Sequence, residues 1–308
     1  MGLKIKTLEK NVRPEDHQEI RVKQMGNIIE LMHTERKNNQ ILIKKISDTE
    51  YIDLRTGEIK ECNQIENRSQ NKNSIRQSLG RLRDLLNTNI IDPSYCRWVT
   101  LTYKENMTDP KRLYEDFKNF NKRMKYALSK EGYKYEYIVC MEPQGRGAWH
   151  AHLVMIFEGK APYIDNKFMA DTWGHGFTVT KKLEDVDNVG AYLTAYLGDM
   201  DLEEYRNLTE EDKKGMTFSE IREVEIKGSN EKKSIIKGGR LHMYPPNFNI
   251  YRQSRGIKKP VVSYETEKEA QKKVSAATLT FEKTIELSDS DSQFSNTINY
   301  RHYNLIRK

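Results

Sequence analysis

The run WHAHLVMIF at residues 149–157 constrains the fold of this chain more than any other segment. Its aromatic and branched apolar residues predict a β-strand, in which alternate side chains point to opposite faces of a sheet. His150 and His152 therefore project side by side from one face. The odd-numbered residues from Trp149 to Phe157 form the other face, which is apolar and must pack under helices.

The two histidines are candidate metal ligands, because an imidazole pKa of about 6.5 keeps both rings neutral at cellular pH. A carboxylate is the expected third ligand for a hard metal. Glu142 ends the preceding predicted strand, and the connection PQGRGAW can return the chain beside it. Two histidines and a carboxylate leave coordination positions for water and a substrate phosphate. The alternative is that both are ordinary core histidines, which a bare His-x-His motif does not exclude.

A pair of tyrosines supplies a second, independent signal. The segment DVDNVGAYLTAYLGDM (185–200) predicts a helix with a core stripe of Val186, Val189, Leu193, Leu197 and Met200. Tyr192 and Tyr196 are four residues apart, which places their Cβ atoms about 5–6 Å from each other on a helix. A phenol with a pKa of about 10 is a poor nucleophile at neutral pH, but a metal can activate a phosphodiester as the electrophile. Packing at the edge of the core is the alternative explanation.

The surrounding segments predict an alternation of strands and helices. Strands are expected at 40–46, 51–59, 96–103, 133–142 and 176–183, and helices at 75–89, 109–132 and 165–174. Two alternating runs around a Ser/Asp tract predict a C-terminal hairpin. The charged stretch 201–236 shows no clear periodicity, and we expect it to be irregular.

The composition favours a polyanionic partner, although only weakly. The 308 residues carry 52 Lys and Arg against 45 Asp and Glu, a net charge of +7. Cys62, Cys96 and Cys140 match neither a zinc spacing nor a disulfide framework, which fits a reducing compartment. The N-terminal MGLKIKTLEKN has no apolar signal core, and no segment approaches the roughly 20 apolar residues that span a bilayer. We expect a soluble cytoplasmic protein without a membrane partner.

Three motifs in this order resemble the catalytic domain of the HUH endonucleases, in particular the rolling-circle replication initiators (Rep) of plasmids, phages and mobile elements. WVTLTY resembles the first motif strand, MEPQGRGAWHAHLVMIF the metal-binding motif, and YLTAYL the tyrosine motif. The connecting TWGHGFTVTKKL also resembles the family, and GGRLHMYPPNFNIYRQSRGIKKP is similar to a further segment of Gram-positive members. The resemblance covers about residues 95–200.

The resemblance implies an α+β fold with a central antiparallel β-sheet flanked by helices. It implies that His150, His152 and Glu142 hold Mg²⁺ or Mn²⁺, and that Tyr192 or Tyr196 attacks single-stranded or hairpin origin DNA. The expected product is a 5′-phosphotyrosyl bond with a free 3′-OH primer, and the covalent bond would permit later rejoining of strands without ATP. A host helicase and a DNA polymerase are implied as partners, and the resemblance allows a homodimer.

Further DNA contacts are expected in the block 237–260, where cations alternate with aromatic residues. The candidates are Arg240, Tyr244, Tyr251, Arg252, Arg255, Lys258 and Lys259. Many relatives carry a lysine three residues after a catalytic tyrosine, where this chain has Ala195 or Asp199. Lys181 and Lys182 on the preceding strand are candidates to replace it. Packed tyrosines and solvated cations are an equally weighted explanation of the block.

We expect three regions in the chain. Residues 1–90 are a candidate origin-recognition region, 91–262 form the catalytic nickase domain, and 263–308 form an extension with a helix and a β-hairpin. A relaxase or transposase of the same superfamily is the first alternative to a replication initiator, although relaxases more often carry three histidines in the metal motif. The sequence also allows a non-catalytic DNA-binding regulator or a metal-dependent hydrolase that uses water.

Overall fold

The structure of the protein is a computed structural model, which describes residues 4–37, 41–62, 67–183, 188–194, 197–213, 221–225, 232–289 and 294–307. Residue contacts divide the chain into two compact units. Unit 1 combines Met1–Ile65 with Pro260–Lys308, and unit 2 comprises Glu66–Lys259. This division differs from the expected boundaries at residues 90 and 262, because C-terminal strands pair with N-terminal strands and the helix before residue 90 packs in unit 2.

The described residues form seventeen strands and seven α-helices. In chain order, the strands are β1 (Lys4–Thr7), β2 (Glu19–Met25), β3 (Ile28–Thr34), β4 (Ile43–Lys45), β5 (Glu50–Asp53), β6 (Ile59–Glu61), β7 (Cys96–Thr102), β8 (Tyr135–Pro143), β9 (Trp149–Phe157), β10 (Thr178–Lys181), β11 (Met200–Asp201), β12 (Ile221–Glu225), β13 (Lys232–Ile236), β14 (Tyr251–Gln253), β15 (Val261–Thr266), β16 (Thr278–Asp289) and β17 (Phe294–Asn304). The helices are α1 (Lys72–Asn89), α2 (Pro110–Lys130), α3 (Asn166–Trp173), α4 (Val189–Thr194), α5 (Leu202–Arg206), α6 (Glu210–Lys213) and α7 (Glu267–Lys273). Within these described segments, no helix has the length and apolar character needed to cross a membrane.

Unit 2 is built on a five-stranded antiparallel sheet with the strand order β10-β7-β9-β8-β14. One face packs under α2, whose apolar stripe meets the odd-numbered residues of β9 in a single buried cluster. Asp109 caps the N-terminus of this helix by accepting the backbone N–H of Lys111. Gly132 follows its C-terminal end with a φ of +82°, a conformation that favours glycine. The strands and the helix predicted for this region are confirmed.

The opposite face of the same sheet packs under α1 and α4. Leu82 and Leu86 of α1 and Val189 of α4 join buried strand residues in a second apolar cluster. Gly190 permits the close approach of the two helices, because a Cβ at this position would lie 2.4 Å from the backbone oxygen of Arg83. The predicted architecture, a central antiparallel sheet flanked by helices, is therefore confirmed.

Unit 1 contains a six-stranded antiparallel sheet with the order β1-β16-β17-β3-β2-β15. The predicted C-terminal hairpin is confirmed, since β16 and β17 pair along their lengths. On one face, Ala270 and Val274 of the α7 region pack against apolar residues of β2 and β3. Arg301 of β17 is fully buried and donates hydrogen bonds of 2.5 and 2.7 Å to the two carboxylate oxygens of Glu267.

Two expectations for the middle of the chain are wrong. The stretch 201–236 is not irregular, because β12 and β13 pair there in antiparallel fashion and β11 joins them. The helix expected over 185–200 does not extend to residue 200, because Met200 pairs with Ile236 in β11. Gly198 adopts a φ of +78°, and a left-handed residue at this position does not continue a helix. Val186 lies outside the described residues.

Glu267→Gln is expected to lower the free energy of unfolding by about 3–5 kcal/mol, because Arg301 would keep a buried charge without its carboxylate partner. Burial by itself would raise the pKa of Glu267, but hydrogen bonds from Arg301 and Gln271 outweigh burial and hold this pKa below its ordinary value. The stabilisation is therefore complete above the unfolded-state pKa of about 4.3 and is lost as pH falls through the folded-state pKa. Urea unfolding at neutral and acidic pH, followed by circular dichroism, measures both effects.

Lys268→Gln is the control for this prediction, because it changes an exposed charge on the same helix. The control should unfold at the urea concentration of the wild type. A Glu267→Gln variant with an unchanged unfolding transition at neutral pH would contradict the prediction.

Candidate metal centre

The register of two neighbouring strands brings the three candidate ligands together. β8 and β9 pair so that Glu142 lies directly opposite His150, and Cys140 lies opposite His152. The Oε2 atom of Glu142 is 3.3 Å from Nε2 of His150 and 3.0 Å from Nε2 of His152. The potential ligand atoms of all three residues lie within 4.8 Å of one another. One carboxylate oxygen and two imidazole nitrogens in this arrangement could hold a divalent metal.

Each histidine is oriented by a hydrogen bond at its other ring nitrogen. Nδ1 of His152 lies 3.3 Å from the hydroxyl of Thr100, and Nδ1 of His150 lies 3.3 Å from the side-chain amide of Gln144. In both rings, Nε2 is therefore the nitrogen that faces Glu142. Such outer contacts fix the ring orientation of metal-binding histidines. The roles of Thr100 and Gln144 cannot be predicted from the sequence, because their contacts depend on strand register and turn geometry.

The charge states of the cluster suit a cation. Burial by itself would raise the pKa of Glu142, but hydrogen bonds from His150 and His152 outweigh burial and place this pKa far below its ordinary value. Burial is also the main reason that the pKa of His150 lies below its ordinary value. Glu142 is thus an ionised carboxylate and His150 a neutral imidazole at neutral pH. These are the protonation states that metal binding requires.

A cavity of about 180 Å³ opens beside Glu142 and His152. Its other walls are mainly apolar, formed by Leu86, Trp98, Ile138, Cys140, Val154, Leu193 and Leu197. Leu193 belongs to α4, and Leu197 lies in the turn after it. The segment that follows α4 therefore borders the same cavity as two of the three candidate ligands.

The two candidate nucleophiles are carried by α4 and by the segment that follows it. Tyr192 lies within α4, but its side chain is outside the described part of the structure, and Tyr196 lies wholly outside the described residues. Gly198, two residues further on, is buried and donates its N–H to Oε1 of Glu142 at 3.1 Å. Gly190, before both tyrosines, donates its N–H to the side-chain oxygen of Asn87 at 2.7 Å.

Most candidate DNA contacts outside this centre lie on the surface. The exposed ones are Arg252, Arg255, Lys258, Lys259, Lys181 and Lys182. Tyr251 is half-buried and pairs with Cys140. Nη1 of Arg240 lies 3.4 Å from Oε1 of Glu142, so Arg240 lies beside the three candidate metal ligands.

Tyr244 does not fit the prediction of a DNA contact. It is 1% exposed, its ring meets the edge of Trp149, and its hydroxyl donates to the backbone oxygen of Met141 at 3.0 Å. A buried ring with a satisfied hydroxyl offers no surface to a base. Tyr244 is therefore a core residue, which contacts β8 near its C-terminal end.

The protein thus has an antiparallel sheet with a His/His/Glu cluster on one face and a tyrosine-bearing helix over that face. This arrangement makes it a candidate metal-dependent protein. Residues 96–201 match the family model described as Replication-associated protein ORF2/G2P. The match runs from β7 to β11 and includes all three candidate ligands and both tyrosines. It supports a replication initiator of the Rep type. Neither the curated proteins nor the solved structures include a significant match to this chain.

Thr100→Val is expected to weaken Mn²⁺ binding by about 10- to 100-fold, because it removes the hydroxyl that orients His152 while keeping the shape of the side chain. Isothermal titration calorimetry with Mn²⁺ measures the change. Glu142→Gln should abolish measurable binding, since it removes the only charged ligand of the cluster. Thr180→Val is the matched control, because Thr180 pairs with Val99 on the opposite face of the sheet. Equal Mn²⁺ affinities for the Thr100 variant and the wild type would refute the orienting role.

Proposed function

We propose that this chain is a rolling-circle replication initiator of the HUH type, which nicks one strand of origin DNA through a tyrosine. The observation that carries the proposal is the approach of the segment that bears the two tyrosines (residues 189–198, the tyrosine segment) to the three candidate ligands. Leu193 and Leu197 line the same cavity as Glu142 and His152, and Tyr196 lies between these two leucines in the sequence. The family match over residues 96–201 supports the same conclusion from the sequence.

Gly198 ties the tyrosine segment to the cluster through both of its backbone polar groups. Its N–H donates to Glu142, and its carbonyl accepts the backbone N–H of Arg240 at 2.9 Å. A Cβ at this glycine would lie 2.9 Å from Leu241, so the segment is also closely packed. The backbone two residues after Tyr196 therefore cannot move away from Glu142 without breaking buried hydrogen bonds.

In the proposed reaction, Glu142, His150 and His152 hold a divalent metal, Mg²⁺ or Mn²⁺. When bound, such an ion polarises a phosphodiester and offsets the negative charge that develops during transfer. Arg240 adds a fixed positive charge next to the carboxylate. The apolar cavity walls restrict water around the attacked phosphate, which favours attack by a phenol over hydrolysis.

The phenolic oxygen of Tyr192 or Tyr196 forms a bond to phosphorus, and the bond from phosphorus to the 3′ oxygen breaks. The phenol loses its proton, and the departing oxygen takes up a proton to become the 3′-OH primer. The 5′ phosphate stays on the tyrosine, which conserves the bond for later rejoining of the strands. A host helicase and a DNA polymerase would extend the primer, and the exposed cations of the block 237–260 would contact the DNA backbone.

Tyr192→Phe and Tyr196→Phe are expected to reduce covalent adduct formation to different extents, and the double variant should form no adduct. Phenylalanine keeps the ring but removes the oxygen that bonds to phosphorus. The measurement is denaturing gel electrophoresis of the protein after incubation with a labelled single-stranded origin oligonucleotide and Mn²⁺. Tyr163→Phe is the control, because this tyrosine is 84% exposed and lies in the connection between β9 and α3. An adduct in the double variant would exclude both tyrosines, and cleavage without any wild-type adduct would indicate a hydrolase.

Gly190→Ala is expected to slow adduct formation by about 100-fold without changing Mn²⁺ affinity. The added methyl would meet the backbone oxygen of Arg83, so α4 must shift away from α1, and a displacement of about 1 Å can cost this much in rate. The metal ligands lie on β8 and β9 and should not move. Gly159→Ala is the control, because no atom lies within 4 Å of its added Cβ. A Gly190→Ala variant with the wild-type rate would show that the position of α4 is unimportant.

A further inference from the structure

A second cavity of unit 2 lies at the edge strand β14 and shares no lining residue with the cavity beside Glu142. It has a volume of about 380 Å³ and is lined by Arg68, Ser74, Ser78, Arg81, Phe248, Asn249, Ile250, Tyr251, Arg252 and Gln253. Three of these ten residues are arginines, and none of the ten is acidic. We call this cavity the arginine cleft. Its strong positive charge distinguishes it from the apolar cavity beside Glu142.

Arg68 forms the floor of the arginine cleft. Its residue is only 7% exposed, and its two terminal nitrogens donate to the hydroxyls of Ser74 at 2.9 Å and Ser78 at 3.2 Å. Its Nε has no hydrogen-bond partner among the described residues. Neutral hydroxyls orient a guanidinium but do not balance its charge, and a buried cation without an anion is unfavourable. None of the residues that line the cleft is acidic, so an anion bound there would balance the charge of Arg68.

The other two arginines are positioned at the mouth of the cleft. Ser74, Ser78 and Arg81 follow one another at helical spacing along α1, so they share one face of the helix. Arg252 extends from β14, with its guanidinium carbon 3.4 Å above the ring centre of Tyr114. The hydroxyl of Tyr114 in turn donates to the backbone oxygen of Asn249 at 2.8 Å. A guanidinium stacked on a fixed ring is pre-organised for bidentate binding of an oxyanion.

We infer that the arginine cleft binds a phosphate group of the DNA backbone. Guanidinium forks and serine hydroxyls supply the donors that a phosphodiester accepts. The cleft also lies near the metal centre, because Tyr251 pairs with Cys140, which pairs with His152. Two strand spacings of about 4.8 Å separate these positions, so one DNA strand reaches both sites. The choice of DNA among phosphate-bearing ligands rests on the proposed function.

The test measures the affinity of the full chain for a fluorescein-labelled single-stranded oligonucleotide by anisotropy, in EDTA so that no cleavage occurs. The double variant Arg81→Gln, Arg252→Gln is expected to bind about 10-fold more weakly or worse. The slope of log K against log salt should also become less steep by about 0.7 for each lost phosphate contact. Arg76→Gln is the matched control, because Arg76 is an exposed arginine of α1 that does not line the cleft. Wild-type affinity and slope in the double variant would overturn the inference.

Oligonucleotides that carry one neutral methylphosphonate linkage locate the contact. For the wild type, one linkage position should weaken binding, and the same substitution should have no further effect on the double variant. Additive losses would mean that the arginines act at a distance from that phosphate and would overturn the inference. Arg68→Met is examined in parallel, with circular dichroism as the check that unit 2 stays folded. A folded Arg68→Met variant with wild-type affinity would also count against the cleft.

These measurements separate the inference from the proposed function. Binding is measured without metal, whereas the nicking proposal is tested by the covalent adduct formed with Mn²⁺. A wild-type protein that forms no adduct but loses DNA affinity in the cleft variants would refute nicking and support the cleft. Displacement of the oligonucleotide by inorganic phosphate at equal concentration of phosphate groups would show a site for free phosphate and would overturn the DNA assignment.

Discussion

The buried carboxylate of Glu142 is the group on which the candidate site depends. It is only 5% exposed, and an ionised carboxylate in such a position is stable only when donors and cations surround it. The imidazoles of β9, the N–H of Gly198 and the guanidinium of Arg240 all converge on its two oxygens. One side chain thus contacts strand β9, Gly198 after the two tyrosines, and Arg240 in the block 237–260. A bound metal ion would also stabilise the Glu142 carboxylate, because its positive charge is attracted to the same oxygens.

The two faces of the unit 2 sheet have different roles, because successive side chains of each strand point to opposite faces. The face under α2 is packed with apolar and aromatic side chains and holds the strands in place. The other face carries the candidate metal ligands and is covered by α1 and α4. The family match ends at residue 201, yet Arg240, β14 and α1 come from outside it and complete this face. The candidate site is therefore built from more of the chain than the matched region.

Local patterns were sufficient to predict the strands 96–102 and 149–157, the helix 110–130 and the C-terminal hairpin. Each has a strong period and a clear end signal. The combination of residues 1–65 with 260–308 into one unit could not be predicted, because it depends on strand pairing across most of the chain. The predicted DNA contact of Tyr244 illustrates a related limit of sequence patterns. A tyrosine suits both base stacking and core packing, and only its contact with Trp149 shows which applies.

The candidate chemical groups can be read from residue types and their spacing: two histidines on one side of a strand, a carboxylate before the turn and two tyrosines at helical spacing. These features follow from local geometry, in which side-chain direction depends only on the period of a strand or helix. Folding brings the two histidines and the carboxylate together, and it assembles the arginine cleft from residues of α1 and β14. Such contacts join residues far apart in the chain. They depend on strand register and helix packing, which residue type and spacing do not specify.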